Sequence, residues 1–389
     1  MMSNLAKIAP IVRGFLAQPT DNPDVPYKPV ILKSLKSKEA IDFTGDAKNA
    51  ESQRYPAPLT KGKNPPLFLD AIDENIAPEE IRKTIDADIS NYSKRHGNKP
   101  DMVCIRELGI LYVEQKDDNS DLPLYNKVAL VTGAAGAIGY GICCGLLENG
   151  CYLAATDLPG KKLDNFTADL KHKVGDRVIG IPIDVTDEES VVQGIESISS
   201  TWGGIDIVVV NAGIPLVSFL KDIDLDDFKR LEKVNVEGTF LTLREIAKHF
   251  ILQGTGGDVI IVSTKNVPSP GAGFGAYSAT KAACHQLGRI ASLELAQYGV
   301  RVNMVAPDGV FSEGKYKSGL WAQVGPDRMR ARGLDEKGLQ EYYQNRNLLK
   351  AKITGRHVSN AVLFFATRQT PTTGVTIPVD GGLPDATPR

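Results

Sequence analysis

The chain has 389 residues, of which 42% are apolar and 24% charged, with a formal net charge of −2. This is the balance of an ordinary globular protein with room for two domains. It gives no electrostatic reason for a nucleic-acid or anionic-membrane partner. No apolar run approaches the roughly 18 residues that a membrane span needs. The first segment lacks the apolar stretch and cleavage site of a signal peptide, so a cytoplasmic location is expected. The cysteines (Cys104, Cys143, Cys144, Cys151 and Cys284) are odd in number and contain no C-x-x-C pair. They read as free thiols. The histidines are scattered singly, and no metal site is expected.

In chain order, residues 1–60 are rich in Pro, Lys, Asn and Asp and read as an extended arm. The exception is a short helix whose one face would carry Leu5, Ile8, Ile11, Val12, Phe15 and Leu16. Residues 61–115 form a small region with one helix, from Pro78 to about Lys94, and one strand-like run over 102–113. Residues 116–124 are polar and read as a linker. From about 125 to 389 the pattern becomes regular. Apolar, β-rich runs at 128–132, 152–156, 178–183, 205–210, 259–262, 300–305 and 375–379 alternate with helical segments. Such alternation predicts an α/β fold, a Rossmann-type doubly wound parallel sheet of seven strands, with the N-terminal region as a non-catalytic extension.

The first strand runs into Thr132-Gly133-Ala-Ala-Gly136-Ala-Ile138-Gly139. Glycines between a strand and a helix allow a tight turn, close approach of the backbone to a pyrophosphate, and tight helix packing. The helix N-terminus then offers free N–H groups to the phosphates. Asp157 ends the second strand, 18 residues beyond Gly139, where an acid grasps ribose hydroxyls and repels a 2′-phosphate. NAD(H) is therefore expected rather than NADP(H). Asp184, with Val185 beside it, follows the third strand and is placed at the adenine.

Tyr277 and Lys281 stand four apart on a helical segment and share a face. An ammonium next to a phenol favours the ionised form, which suits the pair to general acid–base work on a carbonyl or alcohol.

These motifs together resemble the short-chain dehydrogenase/reductase family. The matching residues are the Gly133/Gly136/Gly139 turn, Asn211-Ala212-Gly213, Asn235, Tyr277/Lys281, Pro307 and the Val379-Asp-Gly-Gly382 stretch, all between 125 and 389. The resemblance implies that Tyr277 donates and accepts the proton. It implies that Lys281 lowers the pKa of Tyr277 and binds the nicotinamide ribose, and that Asn235 holds a relay water. The Asn211 segment would support the cofactor. The family's substrate-orienting serine, thirteen residues before the tyrosine, is here Thr264. Ser263 is the neighbour able to replace it if the strand register shifts.

The C-terminal segments resemble the dehydrogenase half of bifunctional rhamnulose-1-phosphate aldolase/lactaldehyde dehydrogenases. Residues 101–112 resemble the last strand of the aldolase half, and 61–115 would be its remnant. A substrate lid is expected over about 308–352. It carries Lys315, Lys317, Arg328, Arg330, Arg332 and Arg346, with Trp321, Tyr342 and Tyr343 closing the pocket. The reaction implied is hydride transfer between NAD(H) and a secondary alcohol or carbonyl of a small hydroxyaldehyde, polyol or sugar derivative. The alternatives are a 3-oxoacyl reductase and an inactive nucleotide-binding structural protein. The partners expected are a small-molecule substrate and further copies of the chain, as a tetramer or dimer, with no nucleic acid and no membrane.

Overall fold

The computed structural model describes all residues except 1–4, 46, 48–54, 61–63, 73–75, 115–120, 313–315, 317, 319–320, 322–324 and 385–389. Most of the expected linker, together with Lys315 and Lys317, lies outside the described residues. The chain divides into two units. One comprises residues 122–194, 206–247 and 257–389; the other comprises 1–121, 195–205 and 248–256.

The larger unit holds seven strands: β1 (Val128–Val131), β2 (Tyr152–Asp157), β3 (Val178–Pro182), β4 (Ile207–Val210), β5 (Gly257–Val262), β6 (Val300–Pro307) and β7 (Thr376–Val379). They form one sheet in the order β7-β6-β5-β4-β1-β2-β3. Every neighbouring pair is parallel. The central strands β1, β4 and β5 are buried along their whole length, which explains the predominance of Val, Ile and Leu in them. The long strand-to-strand connections run through helices, including Ala137–Glu148, Lys161–Val174 and Gly275–Leu295. Strand order reverses between β1 and β4, and the carboxyl ends of these two strands open the crevice where such sheets bind ligands.

The smaller unit overturns the division at residue 60. The described residues between 5 and 60 do not form an extended arm. Leu5–Leu16 is a helix buried on nearly every side, and Leu32–Leu35 is a strand paired antiparallel with Gly109–Val113. That strand belongs to a four-stranded sheet that also contains Met102–Ile105 and Leu67–Leu69. Residues from both expected regions thus build one core: Leu5, Ile8, Val12 and Leu32 pack with Ile85, Ile89, Val103 and Leu111. The buried Arg13 donates to the Val30 carbonyl at 2.7 Å and to Gln253 Oε1 at 3.4 Å. A Cβ added to Gly14 would stand 1.9 Å from the Gln253 carbonyl oxygen, so the helix lies directly on that backbone. The physical reason is long-range partnership. The apolar residues of the first segment are covered by chain more than 60 residues away, which local composition does not reveal.

Candidate active site

The glycine turn is held in place from β4. The Asn211 side-chain amide donates to the carbonyls of Thr132 and Gly133, both at 2.9 Å. The Thr132 hydroxyl accepts from the backbone N–H groups of Asn211 and Ala212, both at 3.0 Å. Gly133 has φ of +61°, and a Cβ there would lie 2.9 Å from Ala212 Cα. Gly139 has no room for a side chain either, since its Cβ would meet Ala134 O at 2.4 Å. Gly136 differs. A Cβ there would meet nothing closer than 3.8 Å, so the protein's own atoms do not require glycine. Gly136 is the N-cap of helix Ala137–Glu148 and no side chain caps that end, so the first-turn N–H groups lack intrahelical partners. The open space over Gly136 fits a dinucleotide pyrophosphate at that terminus.

Asp157 lies beside this turn. Its carboxylate accepts from Ala135 N–H at 3.1 Å and Leu158 N–H at 2.9 Å, and pairs with the exposed Lys162 at 3.4 Å. Asp184 instead closes a local turn, accepting from Thr186 N–H at 2.9 Å and the Thr186 hydroxyl at 2.8 Å. Val185 packs against Gly238, while Ile138 is half-buried on the main core. The Pro307 carbonyl accepts from Lys265 N–H at 3.3 Å and so ties the end of β6 to the Thr264 loop.

Helix Gly275–Leu295 carries Tyr277 and Lys281. The Tyr277 hydroxyl hydrogen-bonds the Thr264 side chain. Ser263 points elsewhere: its hydroxyl is 3.0 Å from His285 Nδ1, and His285 Nε2 is 3.4 Å from the Thr376 hydroxyl. The structure therefore brings Thr264, not Ser263, to the phenol. Lys281 is buried, and its ammonium donates to the Val262 carbonyl at 3.0 Å. A Cβ on Gly213 would stand 3.3 Å from Lys281 Nζ and 3.1 Å from Asn235 Oδ1. The missing side chain thus lets the β4 loop reach both residues.

The electrostatics differ from the expected balance. Burial pushes the Tyr277 phenol up to about 12, Thr264 pulls it down, and Cys284 and Asp308 push it further up. Burial lowers the pKa of Lys281, and its ammonium is turned to the Val262 carbonyl. Near neutrality Tyr277 is therefore a protonated acid.

Asn235 lies in a π-helical turn, Lys233–Glu237, of a kind often found at functional sites. Both hydrogens of its amide are used within the protein, donating to Ile214 O at 3.0 Å and Thr280 Oγ1 at 3.1 Å. Its Oδ1 accepts from Ile214 N–H at 2.9 Å, and its carbonyl accepts from the Cys284 thiol at 2.9 Å. In this arrangement Asn235 fastens the β4 loop to the Tyr277 helix. Cys284 was not foreseen at the site. Its spacing of three from Lys281 is the signal that places it on the same helix face.

The segment expected to form the lid contains the helices Gly325–Arg332 and Glu336–Asn345. Trp321 and Tyr343 pack there with Phe311 and Leu339 into a small core, and Trp321 Nε1 donates to Val310 O at 3.0 Å. Arg346 binds both oxygens of Asp308.

Thr264→Val lowers turnover by about 10- to 100-fold, the scale of losing one hydrogen bond to a charged or reacting group. Thr264→Ser keeps most of the activity, and Ser263→Ala is the milder change. Steady-state rates of the three variants check this, and the reverse order for Ser263 and Thr264 would contradict the geometry.

Comparison with known proteins agrees with this arrangement. Residues 127–321 match the short chain dehydrogenase family. The chain is 34% identical over 265 residues to the uncharacterized oxidoreductase YuxG of Bacillus subtilis (strain 168), covering 68% of this chain but only 38% of that protein. It is 29% identical over 259 residues to sorbitol-6-phosphate 2-dehydrogenase of Escherichia coli (strain K12), covering 66% of this chain and 98% of that enzyme. Among solved structures, the sorbitol-6-phosphate 2-dehydrogenase SrlD of Erwinia amylovora superposes with a TM-score of 0.60 at 28% identity, covering 65% and 98% of the two chains.

Proposed function

The chain belongs to the short-chain dehydrogenase family, an oxidoreductase acting on CH–OH groups, and from that premise we propose that it moves a hydride between NAD(H) and a polyol, sugar derivative or small hydroxyaldehyde. One observation carries the proposal: the phenol of Tyr277 meets Thr264, with Lys281 one helical turn away beside Gly213. Bound along the glycine turn, the nicotinamide cofactor supplies or takes up the hydride. In reduction Tyr277 gives its proton to the substrate oxygen as the C–H bond forms, and the Thr264 hydroxyl holds that oxygen in place. Lys281 and the β4 loop line the floor beside the phenol. In oxidation Tyr277 takes the alcohol proton, which needs its scarce phenolate form.

The NAD(H) preference rests on Asp157. Its carboxylate stands beside the N–H of Ala135 in the glycine turn, where it would accept ribose hydroxyls and repel a 2′-phosphate. Asp157→Ala weakens NAD binding and narrows the preference over NADP by about tenfold or more, the scale of one charge-assisted hydrogen bond. Titrating both cofactors into parent and variant checks this; tighter NADP binding by the parent protein would overturn it.

We also propose a cytoplasmic homo-oligomer, a tetramer or dimer. Leu293 and Ile290 on the Tyr277 helix are exposed, at 76% and 42%, and suit a symmetric helix-to-helix contact. No described helix is long and apolar enough to cross a membrane.

A further inference from the structure

Arg328 lies on the lid helix Gly325–Arg332. Its guanidinium stands 4.5 Å over the ring of Phe274, and that ring is 6.1 Å from the ring of Tyr277. Arg328 also hydrogen-bonds the Tyr343 side chain. Its Nε is buried and has no hydrogen-bond partner. Among the described residues no carboxylate pairs with it. Arg346, 4.2 Å from the ring of Tyr343, is neutralised by both oxygens of Asp308, and Arg332 stands 4.1 Å over the ring of Tyr342.

A guanidinium stacked on an aromatic ring has its plane fixed, and its edge presents donors in the fork that suits an oxyanion. A buried charged N–H left without an acceptor is costly, and proteins seldom keep one without use. Here the unpaired donor belongs to a lid residue, on the ring next to the proton donor. A substrate whose carbinol carbon rests at Tyr277 and Thr264 would extend past Phe274 toward Arg328.

We infer that Arg328 is a specificity-determining residue that binds an anionic terminus of the substrate, a phosphate or carboxylate at the far end of a polyol chain. This rests on the reaction proposed above and narrows its substrate class. Of the two sources of the anion, phosphate has more acceptor oxygens for a guanidinium edge.

The test compares sorbitol, sorbitol 6-phosphate and gluconate on the full-length protein with saturating NAD, together with calorimetric titration of each. The parent should favour sorbitol 6-phosphate over sorbitol in kcat/KM by about 10- to 100-fold, the range of a charge-assisted contact. Arg328→Gln should collapse that ratio, mainly through KM, and Arg328→Lys should restore part of it. The same collapse for gluconate instead would identify the anion as a carboxylate. An Arg328→Gln variant that lowers both members of each pair equally would overturn the inference, as would a parent that prefers sorbitol. If no compound is oxidised but sorbitol 6-phosphate binding still depends on Arg328, the proposed reaction fails and the anion site stands. No turnover together with binding that is absent, or indifferent to Arg328, would overturn both.

Discussion

Tyr277→Phe is expected to lower turnover by about 10²-fold or more, the scale of losing a general acid–base group, while leaving cofactor binding in place. The substitution removes only the hydroxyl that meets Thr264. The ring remains beside Phe274, and the glycine turn, Asn211 and Asp157 do not depend on the phenol. The pH profile of the parent supplies a second reading of the same group. The phenol is pushed up to about 12, so the phenolate is a small fraction near neutrality. Alcohol oxidation needs that form and should rise with pH through the alkaline range. Carbonyl reduction needs the phenol and should stay level until strongly alkaline pH. Rates in both directions between neutral and alkaline pH check the sign. An oxidation rate that falls with rising pH would assign the base to another group.

Removing residues 1–44 is expected to unfold the smaller unit. Leu5, Ile8, Ile11, Val12, Leu16, Ile31 and Leu32 are all at most 3% exposed. Each such side chain contributes about 1.5–3 kcal/mol when fully buried. Their combined loss rivals the about 5–15 kcal/mol of net stability typical of a domain. Ile85, Ile89, Val103 and Leu111 would lose their cover. The truncated chain should aggregate or melt without the transition of the smaller unit. Gly14→Val tests the same packing at one position: its Cβ would enter the Gln253 carbonyl, at a cost of about 1–3 kcal/mol. Thermal melts followed by circular dichroism check both. A truncated protein with the parent's melting temperature would show that the N-terminal residues are a tail.

The sheet was legible because each strand states its environment locally. Runs such as Ile207–Val210 are apolar on both faces, and only a strand covered on both sides needs that. The glycine turn and the Tyr277/Lys281 pair were legible for a similar reason, as their chemistry depends on short spacings. The smaller unit was not, because its partners are remote: Arg13 reaches Gln253, and Leu32–Leu35 pairs with Gly109–Val113. Proline-rich composition suggested an arm, while tertiary burial made a helix and a strand.

At the site, the choice between Ser263 and Thr264 turned on strand direction, which sequence spacing frames and the His285 contact shows. The π-helical turn at Asn235 left no sequence signal. Sequence spacing pairs Tyr277 with Lys281 but says nothing of depth: burial pushes the phenol up, and the Lys281 ammonium is aimed at the Val262 carbonyl. The lid arginines read alike in sequence. Only the structure separates Arg346, bound to Asp308, from Arg328, whose Nε has no acceptor.

Mixing the full-length protein with NAD and a panel of polyols and sugar phosphates at alkaline pH, and following the absorbance of reduced nicotinamide, decides whether hydride transfer occurs. Reduced cofactor should form in proportion to enzyme with at least one of these alcohols, faster with NAD than with NADP, and should nearly vanish in Tyr277→Phe. Reduction of neither cofactor across the panel, or equal rates in the Tyr277→Phe variant, would contradict that expectation.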